Sequence, residues 1–141
     1  MTYIPIALRQ AVYARAKGCC EYCLIPENFA LASHEIDHII AEKHGGKTTD
    51  ENLALSCTIC NKHKGSDIAS IGPDSQAIVR LYHPRQDNWS DHFDLQSATI
   101  VGLTSVGSVT VRLLRLNRRD RIQERQLLMT AGLIEVPQRT L

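Results

Sequence analysis

Apolar and polar positions alternate with different periods along the 141 residues, and each period predicts an element. Residues 4–17 place Leu8 and Val12 on one face, with Pro5 suited to a first helical turn and Gly18 to an end, which predicts an amphipathic helix. Glu35-Ile-Asp-His-Ile-Ile40 is β-branched and sets Ile36 between charged neighbours, which predicts a short strand. A polar stretch from Ser66 to Gln76, with Gly72-Pro73, predicts a joint, and 76–82 a short helix or turn. The run YHPRQDNWSDHF reads as a packed connector that buries Trp89 and Phe93. Strands are expected at 92–95 and 98–103, and Thr104 as the cap of a helix over 105–116 that buries Val106, Val109, Leu113 and Leu116, although Gly107 interrupts it. A last helix, 118–130, is expected to turn Ile122, Leu127 and Leu128 inward and its arginines outward, to end at Gly132, and to leave 134–141 loose.

Composition narrows the class. The hydrophobic share of 43% and the charged share of 22% are those of a globular chain, and no apolar run reaches the ~20 residues of a membrane span. The first residues lack the basic start, apolar middle and small-residue cleavage site of a secretion signal, so a cytoplasmic location is expected. A net charge of +1 gives no global field for a polyanion. Positive charge is local: Lys62 and Lys64, then Arg112, Arg115, Arg118, Arg119, Arg121 and Arg125. The second group reads first as a solvated helix face and second as a nucleic-acid contact.

All five cysteines precede residue 61, an odd number that argues against a disulfide framework. Cys20-Glu-Tyr-Cys23 and Cys57-Thr-Ile-Cys60 are two C-x2-C pairs, the spacing with which two tight turns complete a closed tetrahedral zinc site; Cys19 is left over.

Between the pairs lies HEIDHIIAEKH, residues 34–44, which also carries the H-E-x-x-H spacing of zinc proteases. That chemistry needs a helix. On a strand, His34 and His38 stand roughly 13 Å apart, too far for one zinc with bonds of about 2 Å. The extended motif also wants Gly where Ala41 stands. The protease reading is therefore set aside.

Read from Cys20 to Gly65, CEYC, EIDHII, HGGKTTDENLALSC and TICNKHKG together resemble the HNH endonuclease family in its zinc-bearing form. Loosely, YHPRQDNWSDHF and IVGLTSVGSVTVRLLRLN resemble the C-terminal half of small bacterial proteins that carry this module. The resemblance implies an α+β fold. Its core is a zinc-stapled ββα-metal unit, with strands at 35–40 and 53–57, a loop over 41–51, and a helix from Thr58. Residues 1–70 would form the nuclease module with its N-terminal helix, and 71–141 a small mixed α/β extension packed on it.

It implies metal-dependent hydrolysis of phosphodiester bonds in DNA, duplex ahead of single strands or RNA, leaving 5′ phosphates. His38 would be the general base, Asp37 and Asn61 the ligands of Mg²⁺ or Mn²⁺, and Asn52 the residue that pins the loop orienting the histidine. Zinc on Cys20, Cys23, Cys57 and Cys60 would be structural. Lys64 shares the face of Asn61 and, with Lys62, His44 and Lys47, is a candidate nucleic-acid contact; Glu35 is a candidate support for Asp37. His63 lies about 200° around the helix from Asn61 and cannot face the same metal. The alternative is a zinc-stapled module that binds nucleic acid without cutting it.

Overall fold

The computed structural model describes residues 2–139. Helix α1 (Ile6–Arg15) opens the chain behind Pro5, and strands β1 (Glu35–His38) and β2 (Leu53–Ser56) pair antiparallel, Glu35 opposite Ser56 and His38 opposite Leu53. Because strand side chains alternate, Leu53 and Leu55 share a face; both are buried with Ile4 and Val12 beneath α1. Arg15, at the end of α1, donates to the Asp50 carboxylate at 2.6 Å and to the Leu53 carbonyl at 2.7 Å, which fixes the helix on the hairpin. Helix α2 (Thr58–Lys64) follows β2 directly, capped by the Cys57 sulfur, which accepts the Cys60 N–H.

The chain then forms a second hairpin, β3 (Ala69–Ile71) with β4 (Ile78–Arg80), and after the short α3 (Trp89–His92) a third, β5 (Phe93–Gln96) with β6 (Thr99–Gly102). Helices α4 (Ser105–Leu113) and α5 (Arg119–Thr130) close it. The expected joint at Gly72-Pro73 is thus a hairpin turn, and the helix or turn expected over 76–82 is a strand. Ile78 and Val79 are β-branched and find Ile71 and Ser70 across the ladder. Gly107 is helical for a packing reason. A Cβ there would lie 2.0 Å from the His92 carbonyl oxygen, so only glycine lets α4 approach α3. Helix α4 ends three residues earlier than expected; Leu114 and Leu116 are nonetheless buried.

One apolar core joins the first part of the chain to the last. Tyr22, Leu24, Ile25 and the four paired cysteines are buried together with Tyr82, Trp89, Phe93, Ile100, Val109, Leu114, Leu116 and Leu128. The Trp89 indole donates to the Tyr22 carbonyl at 3.2 Å across this boundary. Residues 134–139, part of the tail expected to be loose, carry no helix or strand but do make contacts. Ile134 packs on the core, Glu135 pairs with Lys17 at 3.9 Å, and Arg139 pairs with Asp91. Thr140 and Leu141, the last two positions of that expectation, lie outside the described residues. Among the described residues no helix is long and apolar enough to cross a membrane.

Candidate metal centres and active-site cleft

The turn after α1 aims two sulfurs inward. The Cys20 carbonyl accepts from Leu24, whose φ of +72° closes a tight knuckle, and the Cys23 N–H donates to the Cys20 sulfur at 3.4 Å. The start of α2 repeats the device, with Cys60 N–H on the Cys57 sulfur at 3.3 Å. The four sulfurs lie within 4.8 Å of one another, all buried, and Cys23 Sγ stands 3.7 Å from Cys57 Sγ. Zinc–sulfur bonds of about 2.3 Å at tetrahedral angles require sulfurs about 3.8 Å apart, so the donor set fits a closed structural zinc site. Cys19 stays outside it, half-buried, its thiol toward the Lys17 carbonyl. Bonding with Cys20 holds Cys23 well below, and Cys57 below, the ordinary thiol range, whereas burial pushes Cys20 up and the bond with Cys20 pushes Cys60 up.

Glu21, between the first two cysteines, ties this knuckle to its surroundings. Its carboxylate accepts the Leu55 N–H at 2.8 Å and pairs with Arg85 from the later half of the chain. Tyr22, also inside the knuckle, sends its hydroxyl to Asp37 Oδ2 at 3.2 Å.

An open cleft of about 320 Å³ is lined by Asp37, His38 and Asn61, with Ile36, Ala41, Glu42, Gly65 and Ser66. β1 supplies the first two side chains and α2 the third. Asp37 is nearly buried, and Lys64, 2% exposed, lies against it with Nζ 3.0 Å from Oδ2 and 3.2 Å from the His38 carbonyl. Burial raises the Asp37 carboxyl above its usual range, and Lys64 opposes the shift. Asn61 donates to Glu35 Oε2 at 3.1 Å; its amide oxygen has no protein partner among the described residues.

His38 Nε2 lies 2.9 Å from the Thr48 hydroxyl and 3.6 Å from Glu42 Oε1. The Thr48 hydroxyl can donate to Nε2 or accept from it, and Glu42 at 3.6 Å lies beyond hydrogen-bond reach of the neutral ring. Nδ1 has no protein partner among the described residues.

Asn52 bridges the loop in front of this histidine. Its amide oxygen accepts the Ile40 N–H at 2.9 Å, and its amide nitrogen donates to the Ile40 carbonyl at 2.9 Å and to that of Lys47 at 2.8 Å. Gly46 is required by the same fold-back, since a Cβ there would stand 1.7 Å from the Ile40 oxygen.

The remaining candidates separate. His44, Lys47 and Lys62 are exposed, and His44 bonds the Ser66 carbonyl at 3.1 Å. Lys64 is buried on Asp37 rather than presented to solvent. His63 turns to the Leu114 carbonyl at 3.2 Å, and partial burial lowers its pKa. His34 precedes β1, its ring 2.8 Å from the Ile25 carbonyl, so no helix carries His34 and His38 on one face.

Arg121 and Arg125 are the clearest departure from the sequence pattern. They are not outward: both are buried with Leu128 along one face of α5, while Leu127 is 73% exposed. Arg121 Nη2 donates to the Cys23 sulfur at 3.1 Å and the Cys57 sulfur at 3.3 Å. The i, i+4, i+7 spacing of 121, 125 and 128 is a normal inward stripe. Arginines fill two of its places, so hydropathy alone does not reveal it. Tyr22 was equally hidden, its only sequence signal being its position inside C-x2-C.

Residues 20–67, about a third of the chain, match the sequence model of one family, HNH endonuclease. These residues form an HNH module. They begin at the first paired cysteine and end just past α2, so the match takes in the hairpin, the helix and all four sulfurs. The α+β architecture and the cysteine cluster are those of a zinc-bearing HNH core. Searches of curated proteins and of solved structures found no significant match.

Proposed function

We propose that the protein is a metal-dependent endonuclease that hydrolyses phosphodiester bonds in DNA, and that the cleft is where it does so. The observation that carries the reading is the convergence of Asp37, His38 and Asn61 on one open cleft inside the HNH module. The donors suit a hard cation: an unengaged Asn61 amide oxygen, the Glu35 carboxylate beside it, and the Asp37 carboxylate, which a cation would share with Lys64 and Tyr22. Asp37 and Asn61 would hold Mg²⁺ or Mn²⁺, which when bound neutralises charge on the scissile phosphate and the departing 3′ oxygen.

The chain's own part is the proton and the geometry. His38 Nδ1 takes a proton from the attacking water, while the Thr48 hydroxyl, 2.9 Å from Nε2, holds the ring from its other side. Asn52 holds the loop that carries Thr48 against β1. In-line attack leaves a 5′ phosphate and a 3′ hydroxyl. His44, Lys47 and Lys62 are exposed around the module and supply contacts to the phosphate backbone. Lys64 serves Asp37 instead. Residues 1–70 act as the nuclease module and 71–141 as its packed support, in the cytoplasm, with duplex DNA the preferred substrate.

Nicking of supercoiled plasmid by zinc-loaded protein with Mg²⁺ or Mn²⁺ tests this, with single-stranded DNA and RNA in parallel. Wild type should nick duplex, and His38→Ala should lose about 10²–10⁴-fold in rate with its fold intact. Equal rates in the two proteins, or binding without cutting by both, would turn the assignment to the non-catalytic module.

A further inference from the structure

A buried guanidinium is costly unless its charge is met. Arg121 is 5% exposed, and sulfur meets it twice: Nη2 reaches Cys23 at 3.1 Å and Cys57 at 3.3 Å, one sulfur from each C-x2-C pair. Nη1 lies 3.5 Å from Glu124. Four thiolates around one Zn²⁺ leave two net negative charges, and such groups are tuned by the hydrogen-bond donors behind the ligands. Arg125, one turn further along α5, brings a second fully buried guanidinium to the same face. It is anchored on the carbonyls of Ala98 (2.7 Å) and Leu116 (3.1 Å) and the amide oxygen of Asn117 (3.1 Å), and no carboxylate pairs with it among the described residues. Both cations come from a helix some fifty residues beyond the family match, which ends at residue 67.

We infer that Arg121 is a working part of the four-cysteine metal centre: it bridges the two knuckles through Cys23 and Cys57, offsets the charge of the loaded site, and so makes the C-terminal helix the lock on the metal. The inference rests on the zinc reading of the cysteines and is independent of nuclease activity.

The test is made on the full-length, metal-loaded chain. Zinc transfer to excess chromogenic chelator is timed for wild type, Arg121→Met, Arg121→Lys and Arg119→Met, the last an exposed arginine on the same helix. The sulfur-to-metal charge-transfer band is recorded on the cobalt-substituted proteins. Arg121→Met should release zinc about 10–100-fold faster and shift the band to lower energy, because sulfurs that lose N–H donors give up electrons more readily. Arg121→Lys should fall between, and Arg119→Met should match wild type. If Arg121→Met does not fold, Arg121→Lys decides alone. Wild-type release and an unshifted band in the Arg121 variants would overturn the inference. Wild-type protein that carries no zinc would overturn it by a different route, by removing the metal centre itself.

Discussion

The sulfur centre and the cleft share a helix, for Cys57 caps α2 and Asn61 lies one turn further along it, yet they are built in opposite ways. The sulfurs are wholly buried, donors are spaced for one ion, and residues from both halves of the chain close around them. The cleft is open, its histidine and asparagine partly exposed, and its one buried carboxylate is met by a lysine. Tyr22 joins the two, a knuckle residue whose hydroxyl touches Asp37. The difference is one of burial: soft donors are enclosed at the sulfur cluster, and most of the oxygen and nitrogen donors of the cleft are open to solvent.

The contrast can be broken most severely at the sulfurs. Cys57→Ser, or exhaustive chelation, removes a ligand or the ion from the centre of the main core. Loss of structural zinc should lower the melting temperature by more than about 15 °C and abolish the near-ultraviolet circular dichroism of the buried Trp89. Retention of both would mean that the apolar core alone holds the fold.

A smaller but still large effect is expected at the cleft's ion pair. Lys64→Met leaves the Asp37 carboxylate buried without its cation and should cost about 3–5 kcal/mol in a denaturant melt. Asp37→Asn with Lys64→Met should recover most of that loss, since neither charge is then stranded. A double variant no more stable than Lys64→Met would assign the loss to packing.

The smallest effect lies away from both centres and sharpens the comparison by its absence from them. Burial would raise the Asp87 carboxyl, but bidentate donation from Arg80 (2.7 and 3.0 Å) and the His83 N–H (2.9 Å) hold it below the usual carboxylate range. A depressed folded-state pKa adds stability above the unfolded value of about 3.9, and this is lost as pH falls through the folded value. Asp87→Asn should therefore lose about 1 kcal/mol at pH 7 and nothing near pH 2, with zinc content unchanged.

Much of the module was legible because its chemistry is local. C-x2-C pairs, the β-branched run around Asp37-His38 and the glycines at 45 and 46 each impose their geometry within a few residues. The extension was less legible because its elements depend on distant partners. The strand at 78–80 needs Ala69–Ile71 opposite it, and Gly107 is helical only because α3 lies against it. Arg121 and Arg125 defeat hydropathy altogether. Each is buried because sulfurs, carbonyls or an amide oxygen meet its charge, and the partners of Arg121 at Cys23 and Cys57 and of Arg125 at Ala98 lie far from it in sequence. At the cleft, the side chains were readable, but the buried Lys64–Asp37 pair was not, since helical spacing puts Lys64 beside Asn61 without saying which group it would meet.

The central claim is that one chain holds two chemically distinct metal sites, one of sulfur and one of oxygen. Calorimetric titration of Mn²⁺ into zinc-loaded protein tests it most directly, with bound Mn²⁺ also counted by electron paramagnetic resonance. One Mn²⁺ should bind wild type without displacing zinc, and Asp37→Asn should lose that binding while keeping its zinc. Mn²⁺ binding unaffected by Asp37→Asn, or Mn²⁺ entering only as zinc leaves, would contradict it.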